Sequence, residues 1–301
     1  MKTFFNGLHT TYTTDEGNRF VWSSLNEFSH EWRSGLPATT VRYVITGYEA
    51  YNLNSETVRV GPAKFLVVNK AQRHSVHIPY TSEPVTGFCV ALNNALLNDV
   101  YHNHLEGDDS LLDNPFTKAG KEFHFCEDIY EPGDPLSRYL SMLQNKFDPA
   151  TGELFVSQDE LFFDVAERLL VSQTITRKKI SNITASKHST RQELYKRIAK
   201  AKIILDEEDE NGLPVATIAA MVALSEFHFY RIFKQIYNIS PHQYRIKKRL
   251  QRARLKLCNT DMPVTGISHE SGFADLQSFS KAFRKEFFLS PKRFRDASKS
   301  I

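Results

Sequence analysis

The 301-residue chain predicts a two-domain fold, in which a β-rich barrel or sandwich closed by helices precedes an all-α domain holding two helix-turn-helix units. Three observations predict it: strand-like runs confined to the first third, a reversal of charge near residue 172, and a segment of the last hundred residues that repeats itself. The composition, 41% hydrophobic and 24% charged, excludes a disordered chain.

The N-terminal elements come first. Residues 41–92 read as short strands, VRYVI, TVRV, KFLVVN, HSVHI and VTGFCVAL, punctuated by Gly47, Gly61, Pro62, Pro79 and Pro84. Helices follow near residues 136–147 and 159–172. The second carries Leu161, Phe162, Val165, Leu169 and Leu170 on one face, suited either to the core or to a homodimer. Residues 173–192, QTITRKKISNITASKHSTRQ, have the polar composition of a flexible linker, with the boundary expected near Ser186. Domains are thus expected at 1–172 and 193–301.

Charge reverses across that linker. Residues 1–172 hold 13 Lys and Arg against 23 Asp and Glu, a net of −10, whereas residues 173–301 hold 25 against 12, a net of +13. A basic domain attracts polyanions by counterion release, so double-stranded DNA is the expected partner; solvated surface charge is the bland alternative.

The repeat makes the expectation specific. Pro214, Val215 and Ile218 recur as Pro263, Val264 and Ile267. After a one-residue insertion, Phe229, Phe233, Ser240, Pro241 and Arg245 recur as Phe279, Phe283, Ser290, Pro291 and Arg295. Each copy reads as a short helix, a tight turn and a longer helix. In the first, Val215, Ile218, Ala219 and Val222 share a face, Ser225 can cap the next helix, and Phe229, Ile232, Phe233 and Ile236 line its buried side. In the second, Gly272 suits the turn, Asp275 the cap, and Phe279, Phe283 and Phe287 the core. A second helix exposing polar and basic side chains is what entry into a major groove requires. The aromatic positions belong to packing, but packing does not require the same exposed basic pattern twice. Between the copies, PHQYRIKKRLQRARLKLC reads as one basic helix whose 18 residues span roughly 27 Å. That length is near the roughly 34 Å between successive groove faces.

The run I-S-H-E-S-G-F-A-D-L-Q-S-F-S-K-A-F-R-K-E-F-F-L-S-P-K-R-F-R, residues 267–295, resembles the signature of the AraC/XylS family of bacterial transcription regulators. The resemblance covers residues 194–295, including Arg249, Leu250, Ala253, Leu257 and Thr260 of the linker helix. It implies two helix-turn-helix units, DNA binding, and activation through contact with RNA polymerase. Ser268 departs from the usual Ala, and Phe288 stands where the family often has Gly. Ala223 stands at the turn position of Gly272, at a cost of about 1 kcal/mol if its φ is positive. Carried over by position, Phe227, Tyr230 and Arg231 with Leu276, Gln277 and Lys281 are the expected base readers. Arg231 suits guanine and Gln277 adenine through bidentate bonds. Ser225, Lys234, Ser278, Arg284 and Lys285 are expected on phosphate.

The N-terminal domain is similar in strand order to the cupin-like sensor domain that precedes the DNA-binding domain in many family members. Support includes G-P-x-x-F-L-V-V-N at residues 61–69. The likeness implies a small-molecule effector inside a barrel, and Trp22, His30, Arg42, Tyr43, His74 and His77 are the candidate pocket residues. A metal-dependent cupin enzyme fused to a DNA-binding domain is the alternative, but the strand-like runs carry no H-x-H pair, and His102 and His104 lie in the polar segment YHNHLEGDD, which reads as a helix end and loop. The spacing of His74 and His77 also puts them on opposite faces of a strand. No G-x-S-x-G, H-E-x-x-H or phosphate-cradling glycine run occurs, so neither catalysis nor a cofactor or metal is expected. Cys89, Cys126 and Cys258, far apart and odd in number, read as reduced thiols. No apolar run approaches the roughly 18 residues of a membrane span, and MKTFFNGLHTTYTTDEG lacks the apolar core of a signal peptide. A cytoplasmic protein is expected.

Overall fold

A computed structural model describes residues 2–5, 9–53, 56–105, 122–130, 132–185, 187–207 and 212–298. It divides into two compact units, Met1–Thr176 and Arg177–Ile301. Ser186, the expected boundary, lies outside the described residues.

The N-terminal unit is built on two antiparallel sheets. Its strands are β1 (Lys2–Phe5), β2 (His9–Thr13), β3 (Arg19–Leu25), β4 (Phe28–Trp32), β5 (Thr39–Thr46), β6 (Glu49–Leu53), β7 (Glu56–Val60), β8 (Phe65–Val68), β9 (His74–Ile78), β10 (Val85–Leu92) and β11 (Ile129–Tyr130). One sheet has the order β1-β2-β3-β10-β5-β8-β11 and the other β4-β9-β6-β7. The short pair β12 (Phe147–Asp148) and β13 (Glu153–Leu154) stands apart. Helices α1 (Asn94–Leu105), α2 (Pro135–Leu143) and α3 (Gln158–Ser181) complete the unit's elements. The five strand-like runs in the sequence correspond to β5, β7, β8, β9 and β10. Strand β4, FSHEW, gave no signal because nearly all of it is exposed and no apolar alternation marks it.

Period-2 alternation decides what each face of the larger sheet meets. Phe20, Trp22, Val41, Tyr43, Phe88 and Val90 pack with Leu97, Leu136, Leu140, Phe162 and Leu169 of the three helices. On the other face, Val44, Leu66 and Val68 meet Tyr51, Leu53, Val60 and Val76 of the smaller sheet. The larger sheet is therefore covered on both sides.

The stretch 173–192 differs from an open linker. Helix α3 runs to Ser181 and α4 (His188–Glu207) begins seven residues later. Gln173 is buried because it has defined partners: its Oε1 accepts from the Cys126 amide at 2.8 Å and its Nε2 donates to the Tyr130 hydroxyl at 2.6 Å. Composition reads such residues as solvated, whereas satisfied polar groups bury readily.

The C-terminal unit contains α4, α5 (Val215–Met221), α6 (Glu226–Tyr237), α7 (Pro241–Asn259), α8 (Val264–Glu270), α9 (Leu276–Phe287) and α10 (Pro291–Ser298). Ser240 and Gln243 form a capping box at the start of α7, with Pro241 in its first turn. The repeat reaches further back than residue 213. Arg197, Ile198, Ala201 and Leu205 of α4 correspond to Arg249, Leu250, Ala253 and Leu257 of α7. The repeated unit therefore has three helices, and both apolar sets are built into the core. Among the described residues, no single helix is long and apolar enough to cross a membrane.

Candidate nucleic-acid interface

Each helix-turn-helix is set by its caps and by a phenylalanine ladder. Helices α5 and α6 meet at 87°, the range in which a second helix can project from its support. The turn closes in the same way in both copies: the Leu224 amide donates to the Ala219 carbonyl at 2.9 Å, and Phe273 to Ser268 at 3.2 Å. The middle of each turn is left-handed, at Ala223 (φ 54) and Gly272 (φ 71). An arginine from the preceding helix tethers each turn carbonyl, Arg197 to Ala223 at 3.2 Å and Arg249 to Gly272 at 2.8 Å. Ser225 caps α6 by accepting from the His228 amide, and Asp275 caps α9 by accepting from Ser278 at 2.6 Å.

The ladders below are almost superimposable in their spacings. Phe229 lies 5.6 Å from Phe233 and Phe279 5.6 Å from Phe283. Phe233 meets Tyr244 edge-on at 5.6 Å, as Phe283 meets Phe294 at 5.6 Å. The four phenylalanines named first are fully buried. Conserving the rings fixes which face of α6 and α9 points outward.

On that outward face of α6, Phe227 is 78% exposed. Arg231 and Lys234 are also exposed, while Tyr230 is half-buried with its ring edge-on to Phe229. On α9, Leu276, Gln277, Lys281, Arg284 and Lys285 are all exposed. The structure thus brings the candidate base-reading residues together as two exposed faces. Ser225 accepts with its hydroxyl oxygen as a cap and can still donate its proton. Ser278 is more committed, since its hydroxyl donates to Asp275 at 2.9 Å. The bonds from the Ser278 backbone and hydroxyl hold the Asp275 carboxyl below the usual carboxylate range. Contact of Ser278 with phosphate therefore competes with that bond, beside a carboxylate.

Much of the basic charge on α7 is structural. Lys248 pairs with Asp206 at 2.7 Å, Arg252 donates to the Asp206 carbonyl at 2.7 Å, and Lys256 pairs with Glu270 at 2.5 Å. Arg245 donates to the Leu213 carbonyl, and Arg295 does the same to Met262 in the second copy. Burial alone would raise the Asp206 carboxyl, but Lys202, Lys248 and Tyr244 outweigh it and hold the group below its ordinary value. The sequence reads this helix only as basic, because it does not show which acids and carbonyls fold back onto its cations.

Of the six candidate pocket residues, Arg42 lines the cavity of about 370 Å³ in the N-terminal unit, and the others do not. Its walls come from both sheets, with Thr40, Arg42 and Cys89 on one side and Trp32, Glu49, Tyr51, Val76 and Ile78 on the other. Trp22 and Tyr43 sit on the opposite face of the larger sheet, in the core against the helices. Strand alternation forces this: Arg42 pairs with Cys89 and Tyr43 with Phe88, so neighbouring residues face opposite ways. His30 and His77 are exposed. His74 is buried, with its ring stacked on Trp32 at 4.8 Å and Nδ1 2.9 Å from the Gln72 carbonyl. Among the described residues, no group of three or more His, Cys, Asp and Glu is arranged to hold a metal ion.

A model of the helix-turn-helix domain matches residues 218–297. The Msm operon regulatory protein of Streptococcus mutans is 31% identical over 159 residues, which are 53% of this chain and 54% of that one. The arabinose operon regulatory protein of Escherichia coli is 33% identical over 92 residues, 31% of this chain and 32% of that one. The chain spans about half the length of the first of these relatives and less of the second. A crystal structure of a transcriptional regulator from Chromobacterium violaceum, of the proteins containing an AraC-type DNA-binding domain, is similar at 28% identity with a TM-score of 0.33. It covers 34% of this chain and 92% of that one. With the matched region coinciding with the two capped turns and their phenylalanine ladders, the C-terminal unit of this chain is a helix-turn-helix domain similar to those of these regulators.

Proposed function

We propose that the chain is a sequence-specific DNA-binding transcription regulator of the AraC/XylS type, acting in the cytoplasm without catalysis. The observation that carries this reading is the pair of exposed polar and basic faces on α6 and α9, set by two nearly equal cores. Arg231 and Gln277 read base edges, with Phe227, Tyr230, Leu276 and Lys281 beside them. Lys234, Arg284 and Lys285 bind phosphate, and Ser225 and Ser278 assist at the helix N-termini.

The N-terminal unit, Met1–Thr176, serves as a cupin-like sensor for a small molecule, and the cavity between its sheets supports this. Binding there changes operator affinity as a coupling free energy between two sites. The chain acts as an effector-responsive activator that contacts RNA polymerase. It works as a homodimer through the helices of that unit, where Val171 and Ile175 of α3 are exposed apolar residues one turn apart. Competition between a selected duplex and random DNA at fixed salt tests the central part. A regulator of this kind prefers its site by about 10³-fold or more, and equal competition by random DNA contradicts it.

A further inference from the structure

The cavity of the N-terminal unit contains a cation with an unfilled hydrogen-bond donor. Arg42 projects from β5 into it, and its Nε is buried without a hydrogen-bond partner. The guanidinium lies over the Trp32 ring, 5.3 Å from the centroid. That stacking occupies its face and leaves its N–H edge for a planar acceptor. Two residues earlier on the same face of the strand, Thr40 Oγ1 is also buried and without a partner. Glu49 lies on the facing sheet, and its carboxylate accepts a hydrogen bond from the Tyr51 hydroxyl. Burial also pushes the Glu49 carboxyl up, which weakens it as a counter-ion.

Arg42 and Glu49 are the charged residues set into the cavity, and Arg19 lines it while remaining exposed to solvent. Leu25, Phe28, Val76 and Ile78 make much of the remaining wall apolar. A buried guanidinium is costly unless an anion with matching geometry bonds to it. A singly charged carboxylate supplies two oxygens for that edge. A doubly charged phosphate would leave an excess negative charge close to Glu49.

We infer that this cavity binds a small organic monocarboxylate, its carboxylate held by Arg42 and Thr40 and its apolar body held against Phe28 and Ile78. The inference deepens the sensor reading above and rests on it for its regulatory meaning.

The test uses the full chain, with benzoate and octanoate as probes and benzamide and octanol as their uncharged counterparts. Calorimetry and thermal unfolding should show the carboxylates binding and stabilising the chain, with the neutral compounds at least about ten-fold weaker. Arg42→Met should abolish the discrimination. Glu49→Gln keeps Arg42 and removes the nearby negative charge, so it should tighten carboxylate binding several-fold even if Arg42→Met fails to fold. Equal binding of acids and amides, no binding of either acid, or unchanged affinity in Glu49→Gln overturns the inference. Operator binding measured in parallel separates the two readings. Carboxylate binding without any change in DNA affinity upholds the ligand class and refutes effector control. A DNA response to the neutral compounds alone refutes the ligand class and upholds effector control.

Discussion

The two helix-turn-helix units share a skeleton and differ in almost everything attached to it. Ring spacings, turn hydrogen bonds and the arginine tether recur, yet Ala223 answers Gly272, Asn238 answers Phe288, and Arg231 and Lys234 answer Lys281 and Arg284. Their supports differ as well. The first unit is tied to Asp206, which gathers Lys202, Lys248 and Tyr244, whereas the second relies on Lys256 with Glu270 and on Lys247 with Glu286 at 3.5 Å. The buried residues are constrained by packing and so stay alike. The outward residues are not, and there the two copies can read different bases.

The strongest way to break the comparison is through the shared core. Phe229→Ala and Phe279→Ala should each destabilise the C-terminal unit by about 3–5 kcal/mol in urea unfolding, since both side chains are fully buried in matched ladders. A large loss in one copy with little in the other would show that the two cores are not equivalent.

Next comes the anchor that only the first copy possesses. The Asp206 side chain is 7% exposed, and its pair with Lys202 is mostly buried. Asp206→Asn should therefore cost about 2–3 kcal/mol at neutral pH, below the upper range for a buried pair because Lys248 is partly solvated. The folded carboxyl lies below its unfolded value, so its contribution is present above about pH 4 and fades as pH falls through the folded value. The wild-type chain should lose this contribution in acid, and Asp206→Asn should show a flatter profile over that window.

Much of the C-terminal fold was legible in the sequence because identical residues recurring at a fixed spacing report a repeated core. The outward faces followed from the same periodicity. The tethers Arg197 and Arg249 were not legible, since a basic residue on a helix looks the same whether it meets solvent, phosphate or a turn carbonyl. In the N-terminal unit, the apolar runs at β5 and β7 to β10 were visible, and β1 to β4 and β6 were not. Of the pocket candidates, the register of β5 against β10 decides that Arg42 faces the cavity and Tyr43 the helices, and register depends on a partner strand that local sequence does not identify.

The recognition faces sharpen the comparison at lower energy. Arg231→Ala should relax preference at one base pair by about 1–3 kcal/mol, measured as the spread of affinities over single-base variants of a selected duplex. Lys234→Ala should weaken all duplexes alike and lower the salt slope by about one phosphate. The smallest effects belong to the turns. Ala223→Gly and Phe288→Gly each place glycine at a left-handed residue, with φ of 54° and 62°, and should stabilise by about 1 kcal/mol or less. Gly272→Ala should destabilise by a similar amount, which thermal unfolding can resolve.

Hydroxyl-radical footprinting of the full chain on a selected duplex is the most direct measurement of whether α6 and α9 act together. Two recognition helices on one duplex should give two protected patches on the same face, about one helical turn of 10 base pairs apart. Arg231→Ala should thin one patch and Gln277→Ala the other. A single patch, or protection without helical-turn periodicity, would contradict joint insertion.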